Sequence, residues 1–172
     1  SYPDAIDPVN GVDNDCDGAD GTLCEGDRDY WGALECDHIT GNLYLENAPG
    51  AAGLEDLHTI NGYVYITNND DMDDIDEMVG LRYAGGLVID NSVLEQVDGL
   101  LNLEFIEGNL EVKNNESLKD IDGLSTVTSV GNLTVQNNEN LRDIDGLSAV
   151  TSVRNLTVQN NDSLTHLFER SD

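Results

Sequence analysis

Positive charge is scarce in this chain: seven Lys and Arg stand against thirty-five Asp and Glu over 172 residues, a formal net charge of −28. Nucleic acid and anionic membrane surfaces are thereby excluded as partners, because both are bound through a basic footprint. Long apolar runs are also missing, none reaching the roughly eighteen residues that a membrane-spanning helix requires. The chain opens on Ser1 without a signal-like apolar segment, so a soluble, processed mature product is expected. His38, His58 and His166 fall in unrelated parts of the sequence, and none has a nucleophile beside it. Triad chemistry therefore has no support. Cysteine is limited to Cys16, Cys24 and Cys36. Their crowding beside an Asp-rich stretch suits an oxidised, extracytoplasmic staple, with one thiol left over and three pairings open. Zinc, with His38 as fourth ligand, is the weaker alternative, because the paired spacing is too wide.

What is abundant is repetition. Residues 108–130 read GNLEVKNNESLKDIDGLSTVTSV, residues 131–153 read GNLTVQNNENLRDIDGLSAVTSV, and a partial copy, RNLTVQNNDSLTHLFERSD, follows. Weaker units start at Gly41, Gly62 and Gly86, giving about six coils of about 23 residues. A fixed period of this length predicts a solenoid, in which each unit buries its apolar side only by stacking on its neighbours. Within a unit, the triplet Leu133, Thr134 and Val135 reads as a short strand with Leu and Val inward. Leu141, Ile144, Leu147, Val150 and Val153 supply the other inward positions, with turns at Asn137–Asn138 and Asp145–Gly146.

Alignment of the units gives columns. Leu43, Val64, Leu87, Leu110, Leu133 and Leu156 form one apolar ladder, and Leu45, Ile66, Ile89, Val112, Val135 and Val158 a second. Asn47, Asn68, Asn91, Asn114, Asn137 and Asn160 form an unbroken asparagine column, expected to be buried at a corner where its amides satisfy backbone groups of adjacent turns. The last copy departs from the pattern at His166, Phe168, Glu169 and Arg170, as a capping repeat does. A stack with so thin a cap would equally dock on another copy and grow a fibre.

Acidic columns are more ambiguous. Asp74, Asp120 and Asp143 align, as do Asp76, Asp98, Asp122 and Asp145. The second series mostly precedes Gly, which is ordinary turn chemistry, with cation binding as the alternative. Stacked carboxylates about 4.8 Å apart repel unless neutralised, so some columns call for counter-ions. In the second unit Asp70, Asp71, Asp73, Asp74, Asp76 and Glu77 crowd one corner, the strongest divalent-cation candidate within the repeats. The sequons at Asn115, Asn132, Asn155 and Asn161 recur because the unit does, and a structural role is expected for them. A polysaccharide lyase would need a basic residue beside the acids, with only Arg82, Arg142 and Arg154 available on too few coils. An ice-binding threonine face from Thr134 and Thr157 is interrupted by Glu111 in the same column.

The sharpest chemistry precedes the repeats. Asp13, Asp15, Asp17 and Asp20 place four carboxylates on one short loop, with Gly18 allowing the tight turn and Asp7, Asn10 or Glu25 within reach. Calcium takes six to eight oxygen ligands, and this spacing wraps oxygens round a hard cation. No amphipathic helices flank the loop, so it is no EF-hand pair.

The stretch NGVDNDCDG, residues 10–18, resembles the Cys-containing motif DGIDNDCDG of bacterial secreted proteins with a metal-binding loop and, more distantly, the calcium-binding type 3 repeats of thrombospondins. Asn10 replaces the motif's first Asp. The repeats resemble receptor L-domain and leucine-rich-repeat-like solenoids of bacterial surface proteins, through Leu-x-Val/Ile-x-Asn-Asn and Asp-Gly-Leu. These resemblances imply an all-β, right-handed β-solenoid over residues 41–172, preceded by a calcium-binding, Cys-containing cap at 1–40. They imply an extracellular or cell-surface module with binding or architectural roles; with no catalytic pattern and so thin a cap, the expectation is a module that is not an enzyme, with structural or adhesive duty and self-association into a filament or surface layer. The competing expectation is a monomeric recognition domain for carbohydrate or protein, using Trp31 or a Tyr44, Tyr63 and Tyr65 patch.

Overall fold

The computed structural model describes residues 22–34 and 36–165. Ten strands follow in chain order: β1 (Leu23–Cys24), β2 (Arg28–Asp29), β3 (His38–Ile39), β4 (Leu43–Glu46), β5 (Thr59–Asn69), β6 (Tyr83–Ser92), β7 (Phe105–Ile106), β8 (Leu110–Lys113), β9 (Ser129–Gln136) and β10 (Ser152–Gln159). All pairings among them are parallel, in one sheet that does not close on itself. One four-residue helix, α1 (Tyr30–Ala33), and 3-10 turns at Asp76–Gly80, Asp98–Leu100, Asp122–Leu124 and Asp145–Leu147 complete the elements.

The register follows the repeat. Leu87 pairs with Leu110, Leu110 with Leu133 and Leu133 with Leu156, so each apolar residue faces its own counterpart one unit away. Both predicted apolar ladders are buried from the first unit to Leu133 and Val135, and Leu141, Ile144 and Leu147 join the same core. The ladder ends abruptly at Leu156, which is 54% exposed on β10 because among the described residues no strand covers that edge.

The sheet begins upstream of Gly41. β1 pairs with β3 and β2 with β4, so β1, β2 and β3 already lie in register with the repeats. Asp29 caps α1, its carboxylate accepting from the Gly32 amide at 2.8 Å. Tyr30 and Ala33 of that turn are buried, and the Tyr30 hydroxyl donates to the Ala52 carbonyl at 2.8 Å. Cys24 and Cys36 form a disulfide across this segment, with Cα atoms 5.7 Å apart. The pairing settles one of the three possibilities and removes both sulfurs from the zinc alternative.

Two glycine columns are explained by close approach. A Cβ on Gly99, Gly123 or Gly146 would lie 1.8, 1.9 or 2.0 Å from the carbonyl oxygen of Ile75, Val97 or Ile121 in the preceding unit. The Asp-Gly step is therefore set by contact between units as well as by the local turn. A second glycine line, Gly85, Gly108 and Gly131, packs backbone on backbone in the same manner at the corner before the long strands.

Candidate functional site

The asparagine doublet separates into two columns with different tasks. Asn47, Asn68, Asn91, Asn114, Asn137 and Asn160 have φ between 49° and 57°, the left-handed region that asparagine tolerates better than most residues. Their side chains are on the surface, where Asn91 donates to Asn68, Asn137 to Asn114 and Asn160 to Asn137 at 2.8–3.0 Å. The buried corner role expected of this column belongs instead to the next residue. Asn69, Asn115, Asn138 and Asn161 are buried, with Ser92 in the third unit's place.

Each buried amide clips neighbouring units together. Asn138 donates from Nδ2 to the Val112 carbonyl at 3.0 Å, while its Oδ1 accepts from the Asn115 amide at 3.1 Å. Asn115 does the same to Ile89 and Ser92, and Asn161 to Val135 and Asn138. The phase error has a simple cause: strand alternation puts residues 133, 135 and 137 on one side, but the left-handed conformation at Asn137 turns the chain so that Asn138 points inward. These bonds also decide the sequons. The Nδ2 atoms of Asn115 and Asn161 are buried donors, Asn132 is half-buried and bonded to Asn109, and Asn155 alone of the four is exposed.

Of the predicted calcium ligands, Asp7, Asn10, Asp13, Asp15, Asp17 and Asp20 lie outside the described residues, as do Cys16 and His166. Glu25 is exposed next to the disulfide. In the second unit Asp71, Asp73, Asp74 and Asp76 are all exposed, beside a shallow hollow lined by Asp73, Asp74, Val93, Glu95 and Gln96. The Asp74 carboxylate accepts from the Asp76 amide at 3.3 Å, a local turn bond repeated by Asp120 with Asp122 and Asp143 with Asp145. Among the described residues, no three His, Cys, Asp or Glu side chains converge as a metal site would require.

The acidic column at the 3-10 turns is electrostatically loaded. Partial burial, and the charges of Asp120, Asp143, Asp98 and Asp145 around it, push the Asp122 carboxyl above its usual range. Cations pair with other acids: Lys113 bridges Glu111 at 2.8 Å and Asp90 at 3.6 Å, and Lys119 pairs with Glu95.

Aromatic groups occupy the outer face nearer the chain's beginning. Tyr44 and Tyr65 stack at 5.0 Å between ring centroids and are nearly parallel, and Tyr63 stacks on Tyr65 at 5.7 Å. The expected tyrosine patch is thus a packed column, while Trp31 stands 70% exposed, edge-on to Tyr30. A third aromatic region, Tyr83 and Phe105, was not anticipated and lines a groove with Glu107, Ser129, Ser152 and Arg154. The alignment gave no distinct signal for it: the three residues between the inward Ile106 and Leu110 are matched by three between Ile39 and Leu43 and between Ile60 and Val64.

No protein-family model matches the chain. Neither a curated protein nor a solved structure matches it. Among the described residues, no helix is long and apolar enough to cross a membrane.

Proposed function

We propose that this chain is a non-enzymatic, calcium-stabilised structural or adhesive module of the cell exterior. In this reading the parallel stack is a right-handed β-solenoid of the L-domain or leucine-rich-repeat-like kind, and copies join end to end into a filament or surface layer. The observation that carries it is the bare edge of β10. Eight residues of strand pair with β9 on one side only among the described residues, and Leu156 is left open at the end of an otherwise buried ladder. Such an edge is a template for another chain. The Cys24–Cys36 disulfide supports an oxidising compartment.

Calcium enters through charge. Two copies carrying −28 each repel at neutral pH, so assembly requires a counter-ion. Asp13, Asp15, Asp17 and Asp20, with Asp7, Asn10 and Glu25 nearby, have the oxygen donors that calcium prefers. The acids at 71–76 would contribute at a contact between copies, where a second surface supplies the ligands that one surface lacks.

Particle size by light scattering and negative-stain microscopy, in millimolar calcium and after chelation, tests this reading. Elongated particles that shorten on chelation are expected, and Asp15→Ala combined with Asp17→Ala should lower the melting temperature only when calcium is present. A compact monomer in both conditions would sink the assembly reading. The second reading is then a monomeric recognition domain, favoured by the exposed aromatic side chains on an otherwise polar surface.

A further inference from the structure

The spacing at one corner varies from unit to unit. Between the inward residues Ala84 and Leu87, Val130 and Leu133, and Val153 and Leu156, two residues intervene; between Ile39 and Leu43, Ile60 and Val64, and Ile106 and Leu110 there are three. At one of these changes of spacing the pairing lapses. β7 is hydrogen-bonded to β6, but among the described residues no ladder joins Phe105 and Ile106 to Ser129 and Val130. The backbones re-engage only at Gly131, whose amide donates to the Gly108 carbonyl at 2.6 Å. A groove of about 460 Å³ opens at this break. Extra residues that interrupt a ladder recur beside functional sites, because they re-aim side chains without breaking the rest of the sheet.

The side chains brought there are unlike those elsewhere on the surface. Phe105 is 52% exposed and forms an apolar wall with Tyr83, whose hydroxyl donates to the Glu107 carboxylate. Ser129 and Ser152 present hydroxyls, and Arg154 stands where the two preceding units have Gly131 and Gly108. No ion pair joins Arg154 to Glu107, so the groove holds an acceptor and a donor that do not neutralise each other.

We propose that this groove binds a neutral pyranose sugar, its carbon face against Phe105 and its hydroxyls shared among Glu107, Ser129, Ser152 and Arg154. A pyranose is amphipathic in this sense, with axial C–H groups on one face and rim hydroxyls that both donate and accept. An anionic ligand is opposed by the −28 field and by Glu107. A cationic one finds a single carboxylate beside a guanidinium and an apolar wall. The volume admits roughly one or two sugar rings in an open cleft, as a small-ligand site does. This proposal deepens the recognition reading and is independent of calcium and of assembly.

The test titrates the ¹⁵N-labelled full chain with the methyl glycosides of glucose, galactose, mannose and N-acetylglucosamine, in calcium and after chelation. Saturable amide shifts are expected at Phe105, Glu107, Gly131 and Arg154 for at least one sugar, with a Kd of about 1 mM, the scale for a small ligand in an open site. Chelation should leave them unchanged. Phe105→Ala, which alters an outward side chain, should weaken binding by about tenfold or more, as expected of a stacking contact, and Glu107→Gln should also weaken it. Trp31→Ala should bind as the unaltered chain does. Shifts confined to Tyr44, Tyr63 and Tyr65, or full binding by Phe105→Ala, would overturn the groove while leaving the recognition reading. Silence with every sugar would overturn the groove as a pyranose site and leave protein as the ligand class of the recognition reading.

Discussion

At the residue scale, the two asparagines of each unit separate backbone conformation from buried hydrogen bonding. Asn137 has φ 57° and a surface side chain; Asn138 has none of its amide exposed and joins three units by hydrogen bonds. Replacement of Asn138 by Leu removes the clip and leaves the Val112 carbonyl and the Asn115 amide without this partner. A loss of about 2–4 kcal/mol is expected in chemical denaturation, from one or two buried groups left unsatisfied. Asn137→Gly should cost far less, because glycine enters the left-handed region freely. Asn137→Val should cost about 1–2 kcal/mol through backbone strain. Equal losses for Asn138→Leu and Asn137→Gly would show that the division between the columns is wrong.

At the scale of elements, the described part of the segment before the first long strand lies at one end of the sheet. It contributes only short strands, one helical turn and a disulfide whose cysteines are twelve residues apart. So few contacts would hold it weakly without the cross-link. Closing a loop of this size restrains the unfolded segment by about 3 kcal/mol in the chain-entropy account. On reduction, amides of residues 22–40 should lose hydrogen-exchange protection while those of β6, β8 and β9 retain theirs, since stacked units are stabilised mainly by nearest neighbours. Simultaneous loss of protection throughout would instead mean that the end segment nucleates the whole sheet.

For the whole molecule, acidity opposes folding. Asp122 ionises less readily in the folded chain than in the unfolded one, because desolvation, and then the stacked aspartates, disfavour its charge. The folded state therefore holds more protons on this group between its ordinary and its raised pKa, and stability falls as pH rises through that window. The contribution from Asp122 is unfavourable at neutral pH and is relieved on acidification toward the ordinary aspartate range. Asp122→Asn should raise the melting temperature at pH 7 and lose that advantage once the carboxyl is protonated. Added monovalent salt should stabilise the unaltered chain in the same direction, by screening. A melting temperature for Asp122→Asn that is unchanged at pH 7 would remove the column from the stability argument.

The sequence by itself determined the period, the parallel self-register and the apolar ladders, because identical units in contact bury their inward residues most completely when each faces its own copy, as Leu110 faces Leu133. It also marked the glycines and the asparagine doublet. Only the tertiary structure decided which asparagine is buried, since a left-handed residue reverses the alternation that a sequence pattern assumes. The same holds for Gly123, whose constraint is the Val97 carbonyl of another unit and is invisible within its own turn. The pairing of Cys24 with Cys36 likewise required the two short strands to be placed. The groove at Phe105 opens where no ladder joins β7 to β9 among the described residues, and such a gap exists only once those units are stacked.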